Sequence, residues 1–332
     1  MRMNLHILSV MTLGVLTIGC AKIEHSPTPS SQHLIGYEVI EDKPASKAAF
    51  PTTETFMSTA YKLGSGRSWD ADNAYATQYF DYLQEEVSYE DLYWKTGKEY
   101  YWPYDGGSLT FFSYTPTSVG ATISTDGVSV TGWNVVTKPG VILVADIAKD
   151  KTKNESYAGF SGVPTLFRHK LSKVSFRVAK SSFAEEGVDV SIKSIKIVDI
   201  YVQGNYSRGG YSNDAWSGWS GLRDEDDPYV VYDSAGETLD KTPVQKGTDM
   251  IMIPQMLSAE GDRHPRVLVE YTTDGTIKSA ECFFVENFRS GQWAKGQHYT
   301  YTIYIGVGQY PIEFDGGVSV WESSDLGSVT VD

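Results

Sequence analysis

Apolar and polar residues alternate with a period of two along much of the chain, a pattern that predicts β-strands. In YTYTIYIGV, Tyr299, Tyr301, Ile303, Ile305 and Val307 fall on one face, with Thr300 and Thr302 on the other. VILVADI, LSKVSFRV, VSIKSIKIVDIYV, RVLVEYT and LTFFSYT behave similarly, being β-branched or aromatic and bounded by Gly, Pro, Asp or Asn. One region is ambiguous. In DNAYATQYFDYLQEEVSYEDLYW, Tyr75, Tyr79, Leu83 and Val87 recur at helical spacing, yet tyrosines favour strands and there is no C-cap glycine before Gly97. It predicts a short helix or a strand pair, the strand pair being preferred. The polar, Gly- and Pro-containing stretch KDKTKNESYAGFSGVPTLF predicts a link between two halves, each of domain size.

The N-terminus follows a different rule. Arg2 precedes an apolar run from Leu5 to Ile18, too short for the ~20 residues of a spanning helix, so residues 1–19 read as a signal peptide. The run ends in Thr17-Ile18-Gly19-Cys20, which resembles a bacterial lipobox, and a Pro/Ser-rich tether follows through residue 33. The resemblance implies a diacylglycerol on the Cys20 thiol and an outer-membrane or cell-surface lipoprotein. Cys282, in SAECFFVEN, shares a strand face with Ala280 and Phe284 and reads as a small core residue instead of a nucleophile.

Composition narrows the function classes. The 332 residues carry 28 Lys+Arg against 42 Asp+Glu, a net charge of −14 with no basic block, which argues against nucleic acid as a partner. Two cysteines exclude a disulfide framework, so packing must hold the fold. His25, His33, His169, His264 and His298 form no metal-ligand spacing, and no nucleophile-elbow, P-loop or dinucleotide motif is present. The reading is therefore not an enzyme, with no catalytic residue, cofactor or metal assigned. The acidic run Asp224 to Asp227 lacks the Gly-spaced ladder of a calcium loop. In QGNYSRGGYSNDAWSGWSGL, Tyr206, Tyr211, Trp216 and Trp219 sit in a Gly/Ser-rich stretch. They could bind a sugar or protein partner, or plug the end of a sandwich. Asp233-Ser234-Ala235 resembles a bacterial O-glycosylation sequon.

Four phrases in order resemble the fimbrillin superfamily, the lipoprotein-derived subunits of type V pili. They are YYWPYDGGSLTFFSYTP (residues 100–116), FRHKLSKVSFRV (167–178), MIMIPQ (250–255), and WAKGQHYTYTIYIGV with IEFDGGVSVWESS, which carry Trp293, Gly296, Tyr299 and Trp321. The resemblance implies an all-β chain of two tandem transthyretin-like β-sandwich domains, assigned here to residues 34–162 and 163–332. It also implies assembly with other pilus subunits: a trypsin-like protease removes the first strand, and a neighbour's strand fills the groove. LIGYEVIED puts Ile35, Tyr37 and Val39 on one side and Glu38 on the other, as suits an edge strand. Lys43 precedes Pro44, so Lys47 is the preferred scissile residue and Arg67 the runner-up. The tail LGSVTVD alternates as a strand and could pair within its own domain or serve as donor. Stalk and tip roles both stay open, and the rival reading is a monomeric surface lipoprotein that binds glycan or a host ligand.

Overall fold

The computed structural model describes residues 34–41, 48–157, 160–184, 187–207, 218–224, 227–306 and 312–321. Among these the chain is all-β, with only short helical turns such as Trp69–Asp72 and Phe284–Asn287. The alternating phrases become strands Ser108–Thr115, Leu143–Ala145, Ser172–Lys180, Val190–Val198, Tyr201–Ser207, Arg266–Thr273 and Gln297–Ile305. Tyr299, Tyr301, Ile303 and Ile305 are all buried, as their shared face requires. The ambiguous region contains both expected forms. Trp69–Asp72 is a helical turn continued by the 3₁₀ turn Asn73–Tyr75, whereas Glu85–Glu90 and Tyr93–Thr96 are an antiparallel pair.

The N-terminal half centres on an 11-stranded sheet. Its core is aromatic: Phe50, Phe56, Trp94 and Phe167 pack with ring centroids 5.2 to 6.5 Å apart. The C-terminal half contains two four-stranded sheets. Tyr301 is fully buried there, where Phe176, Phe284 and Phe288 surround it. Its hydroxyl accepts from Trp293 Nε1 at 2.9 Å and donates to Ser290 Oγ at 2.8 Å, so two residue types that carry a polar handle are buried with that handle satisfied.

A further four-stranded sheet joins the halves. Strands Thr122–Ser124 and Gly127–Asn134 come from the first half, Tyr201–Ser207 and Trp219–Asp224 from the second, and Gly204 pairs with Trp133. The stretch expected to be a polar link is part of the first sheet. Glu155–Tyr157 and Phe160–His169 form a hairpin within it, and the division expected between residues 162 and 163 falls inside the second of these strands. Gly162 is there because of packing: a Cβ would stand 2.5 Å from the carbonyl carbon of Tyr37.

Candidate functional site

The first strand, Tyr37–Glu41, is an interior strand of the 11-stranded sheet and not an edge strand. On one side it runs parallel to Phe160–His169, in register from Tyr37 opposite Val163 to Glu41 opposite Phe167. On the other it meets Trp94 and, at Ile40 and Glu41, the short strand Ala48–Ala49. The period-two pattern assigns opposite faces correctly but cannot tell whether both faces are covered. Here they are, because Glu38 is buried along with Leu34, Ile35, Tyr37 and Val39.

The Tyr37 ring stands edge-on to Phe56 and Phe111 at 5.4 and 5.9 Å. Its hydroxyl donates to Ser58 Oγ at 3.1 Å, and burial pushes its ionisation well above the ordinary tyrosine range. The start of the strand is clasped by Asn154. Its Nδ2 donates to the Leu34 carbonyl at 2.8 Å, while its Oδ1 accepts from the Gly36 amide at 3.3 Å and from Trp102 Nε1 at 3.1 Å. The Ile35 amide donates to the Tyr100 carbonyl at 2.8 Å, and the Val163 amide to the Gly36 carbonyl at 2.7 Å. Asn154 and Gly162 thus hold the first strand from a distant part of the chain. Neither lies in a motif, so no sequence signal marks them.

A family model for fimbrillin-like proteins matches residues 52–321. The chain belongs to the fimbrillin-like family. Among solved structures, a fimbrial protein from Bacteroides vulgatus ATCC 8482 is similar at 15% identity and a TM-score of 0.60, over 87% of this chain and 100% of that one. A proposed cell adhesion protein from Bacteroides uniformis ATCC 8492 is similar at 16% identity and a TM-score of 0.47, over 89% of this chain and 100% of that one. No curated protein sequence matches significantly.

In this fimbrillin-like chain the two basic residues proposed for cleavage differ in setting. Lys47 lies outside the described residues, as does Cys20. Arg67 is exposed in the turn after strand Phe56–Leu63, its guanidinium 4.3 Å above the Tyr75 ring and 3.5 Å from Asp72. Phe56–Leu63 pairs with Ser108–Thr115 from Met57 through Leu63, so cleavage at Arg67 would detach a central strand as well.

Of the four aromatic residues proposed to contact a ligand, Tyr211 and Trp216 lie outside the described residues. Tyr206 and Trp219 are buried in the sheet that joins the halves, their rings 5.7 Å apart. Trp219 Nε1 donates to the Lys170 carbonyl at 2.8 Å, so this indole plugs the junction between the halves. Cys282 is fully buried, and its desolvation, with the Glu281 charge adding to it, pushes the thiol up to about 12. Glu225 and Asp226 of the acidic run and the 322–332 tail lie outside the described residues. Among the described residues, no group of three or more His, Cys, Asp and Glu could hold a metal ion.

Proposed function

We propose that this fimbrillin-like chain is a structural or adhesive pilus subunit of two transthyretin-like sandwiches, made as a lipoprotein precursor acylated on Cys20 and assembled by strand exchange. The observation that carries the proposal is the setting of Tyr37–Glu41: an interior strand, paired on both sides and joined to the following strand only through residues 42–47. Cleavage after Lys47 would leave that strand held by non-covalent contacts alone.

Energetics favour replacement over an empty groove. Leu34, Ile35, Tyr37 and Val39 are buried, and at about 1.5–3 kcal/mol each their burial contributes roughly 6–12 kcal/mol before ordering entropy is subtracted. A groove that loses this strand exposes Phe56 and Phe111 together with unpaired backbone on two neighbouring strands, a template for β-augmentation by another subunit.

The test is limited trypsin treatment of the full chain, with the new N-terminus read by mass spectrometry and the products run on unboiled gels. Cleavage after Lys47 followed by heat-labile multimers is the expected result. A chain that stays monomeric after that cut, or whose first strand stays bound to it indefinitely, would refute strand exchange. Metabolic palmitate labelling that is lost in Cys20→Ala is the expected sign of the lipid anchor.

A further inference from the structure

The strand ladder around the first strand closes on itself. From Ser108–Thr115 it runs through Leu143–Ala145, Phe160–His169, Tyr37–Glu41, Tyr93–Thr96, Glu85–Glu90 and Phe56–Leu63, and the last of these pairs again with Ser108–Thr115. The first strand therefore fills one slot of a closed ring, walled by a strand on each side, and the side chains it turns inward meet a fixed interior. Of Ile35, Tyr37 and Val39, which share that face, only Tyr37 carries a polar group.

The interior is built to receive that group. Phe56 and Ser58 share a face of one strand, and Phe111 and Ser113 share a face of the strand paired with it. Both phenylalanines stand edge-on to the Tyr37 ring. Ser58 Oγ accepts from Tyr37 Oη at 3.1 Å and from Ser113 Oγ at 2.9 Å, and it donates to the Phe112 carbonyl at 3.4 Å, so its proton and both lone pairs are used. Ser58 and Ser113 are buried. A strand in this slot without the phenol leaves Ser58 one bond short in a site closed to water, and one without the ring leaves Phe56 and Phe111 facing a void.

The start of the strand is held without regard to sequence. Asn154 bonds to the Leu34 carbonyl and the Gly36 amide, and the ladder with Phe160–His169 is main chain to main chain. A Cβ at position 36 would come no nearer than 3.7 Å to the Trp94 carbonyl, so another residue fits there. We infer that the groove selects its incoming strand by a tyrosine: the strand of another subunit that replaces the first one carries a tyrosine opposite Val163 and Trp94, with aliphatic residues two positions to either side, and Ser58 and Ser113 read its phenol. The inference rests on the strand-exchange reading and names the chemistry of the partner that it requires.

The test uses the full chain cut after Lys47 and a fluorescent peptide of residues 34–42, with unlabelled native, Tyr37→Phe and Tyr37→Leu peptides as competitors. The native peptide should compete best, the Phe peptide about fivefold less well and the Leu peptide about tenfold or more less well. In a chain carrying Ser58→Ala and Ser113→Ala, which keeps Phe56 and Phe111, the tyrosine peptide should lose its advantage over the Phe peptide. Equal competition by the native and Phe peptides on the native chain overturns the inference, as does an undiminished tyrosine preference in the double variant. The peptide series on the native chain decides the matter even where the double variant does not fold. If all three peptides displace the cut strand alike, strand exchange stands and this inference alone falls. If no peptide displaces it, both fall.

Discussion

Lys173 is buried in the middle of a sheet, where it is paired with a carboxylate. Its Nζ lies 2.6 Å from Asp249 Oδ2, while Ser175 Oγ donates to Asp249 Oδ1 at 2.7 Å and sits 2.6 Å from His298 Nε2. Gln245 Nε2 adds a bond to Asp249 at 2.9 Å. Burial alone would raise the Asp249 carboxyl, but the hydrogen bonds from Lys173 and Ser175 outweigh it and leave the group below the ordinary carboxylate range. A carboxyl depressed in the folded state contributes stability that is complete at neutral pH and is lost as pH falls through its folded value, below about pH 4. Asp249→Asn should therefore destabilise the chain by about 2 kcal/mol at pH 7, because Lys173 is left buried without its counter-charge. Thermal melts across pH should show that difference closing toward pH 3, and a gap of constant size would mean that the carboxylate charge is not what matters. Lys173 is legible in the sequence as part of a strand motif, whereas Asp249 and His298 become its neighbours only through sheet pairing.

Among the elements, the first strand shows most clearly what periodicity leaves undecided. Alternation located Tyr37–Glu41 and its apolar face, yet it implied an edge, because an interior position depends on which strands pair with it. Gly162 reads as loop punctuation in the sequence, and in the fold it lets Phe160–His169 approach the first strand closely. A Cβ at that position would stand 2.6 Å from the Glu38 amide nitrogen, and this is backbone that cannot rotate away. Gly162→Ala should cost about 1–3 kcal/mol and loosen the first strand selectively. Hydrogen exchange at the amides of residues 37–41 should rise more than exchange in the C-terminal sheets, and uniform exchange would argue against a local role for this glycine. The ambiguous tyrosine-rich region resolved into a short helical turn ending at Tyr75, the strand Thr77–Gln78 and a hairpin, so the helical spacing of Tyr79, Leu83 and Val87 runs through sheet and not helix.

At the scale of the whole molecule, the two halves share more than a covalent link. The joining sheet takes two strands from each, the Trp219 indole bonds to Lys170, and the His169 ring stacks on Trp321 with centroids 3.9 Å apart. Calorimetry should accordingly record one cooperative transition in place of two. Trp219→Ala should destabilise that transition by about 3–5 kcal/mol through the cavity it creates. Splitting of the melt into two independent transitions in the native chain would show that the shared sheet does not couple the halves. Of the aromatic residues expected at a ligand surface, Tyr206 and Trp219 are spent on this junction, and among the described residues the exposed tyrosines are instead Tyr75, Tyr82, Tyr101 and Tyr104. Composition shows an abundance of tyrosines but not which of them stay in water.

The sequence by itself determined the strands, their apolar faces, the all-β class and, through ordered motifs, the family, because each depends on local alternation or on residues close together in the chain. Only the tertiary structure decided that the first strand is interior, that Asn154 and Gly162 hold it and that the halves share a sheet. Each of these depends on pairing between distant segments, and a period of two specifies which face a residue occupies without specifying which strand lies beside it.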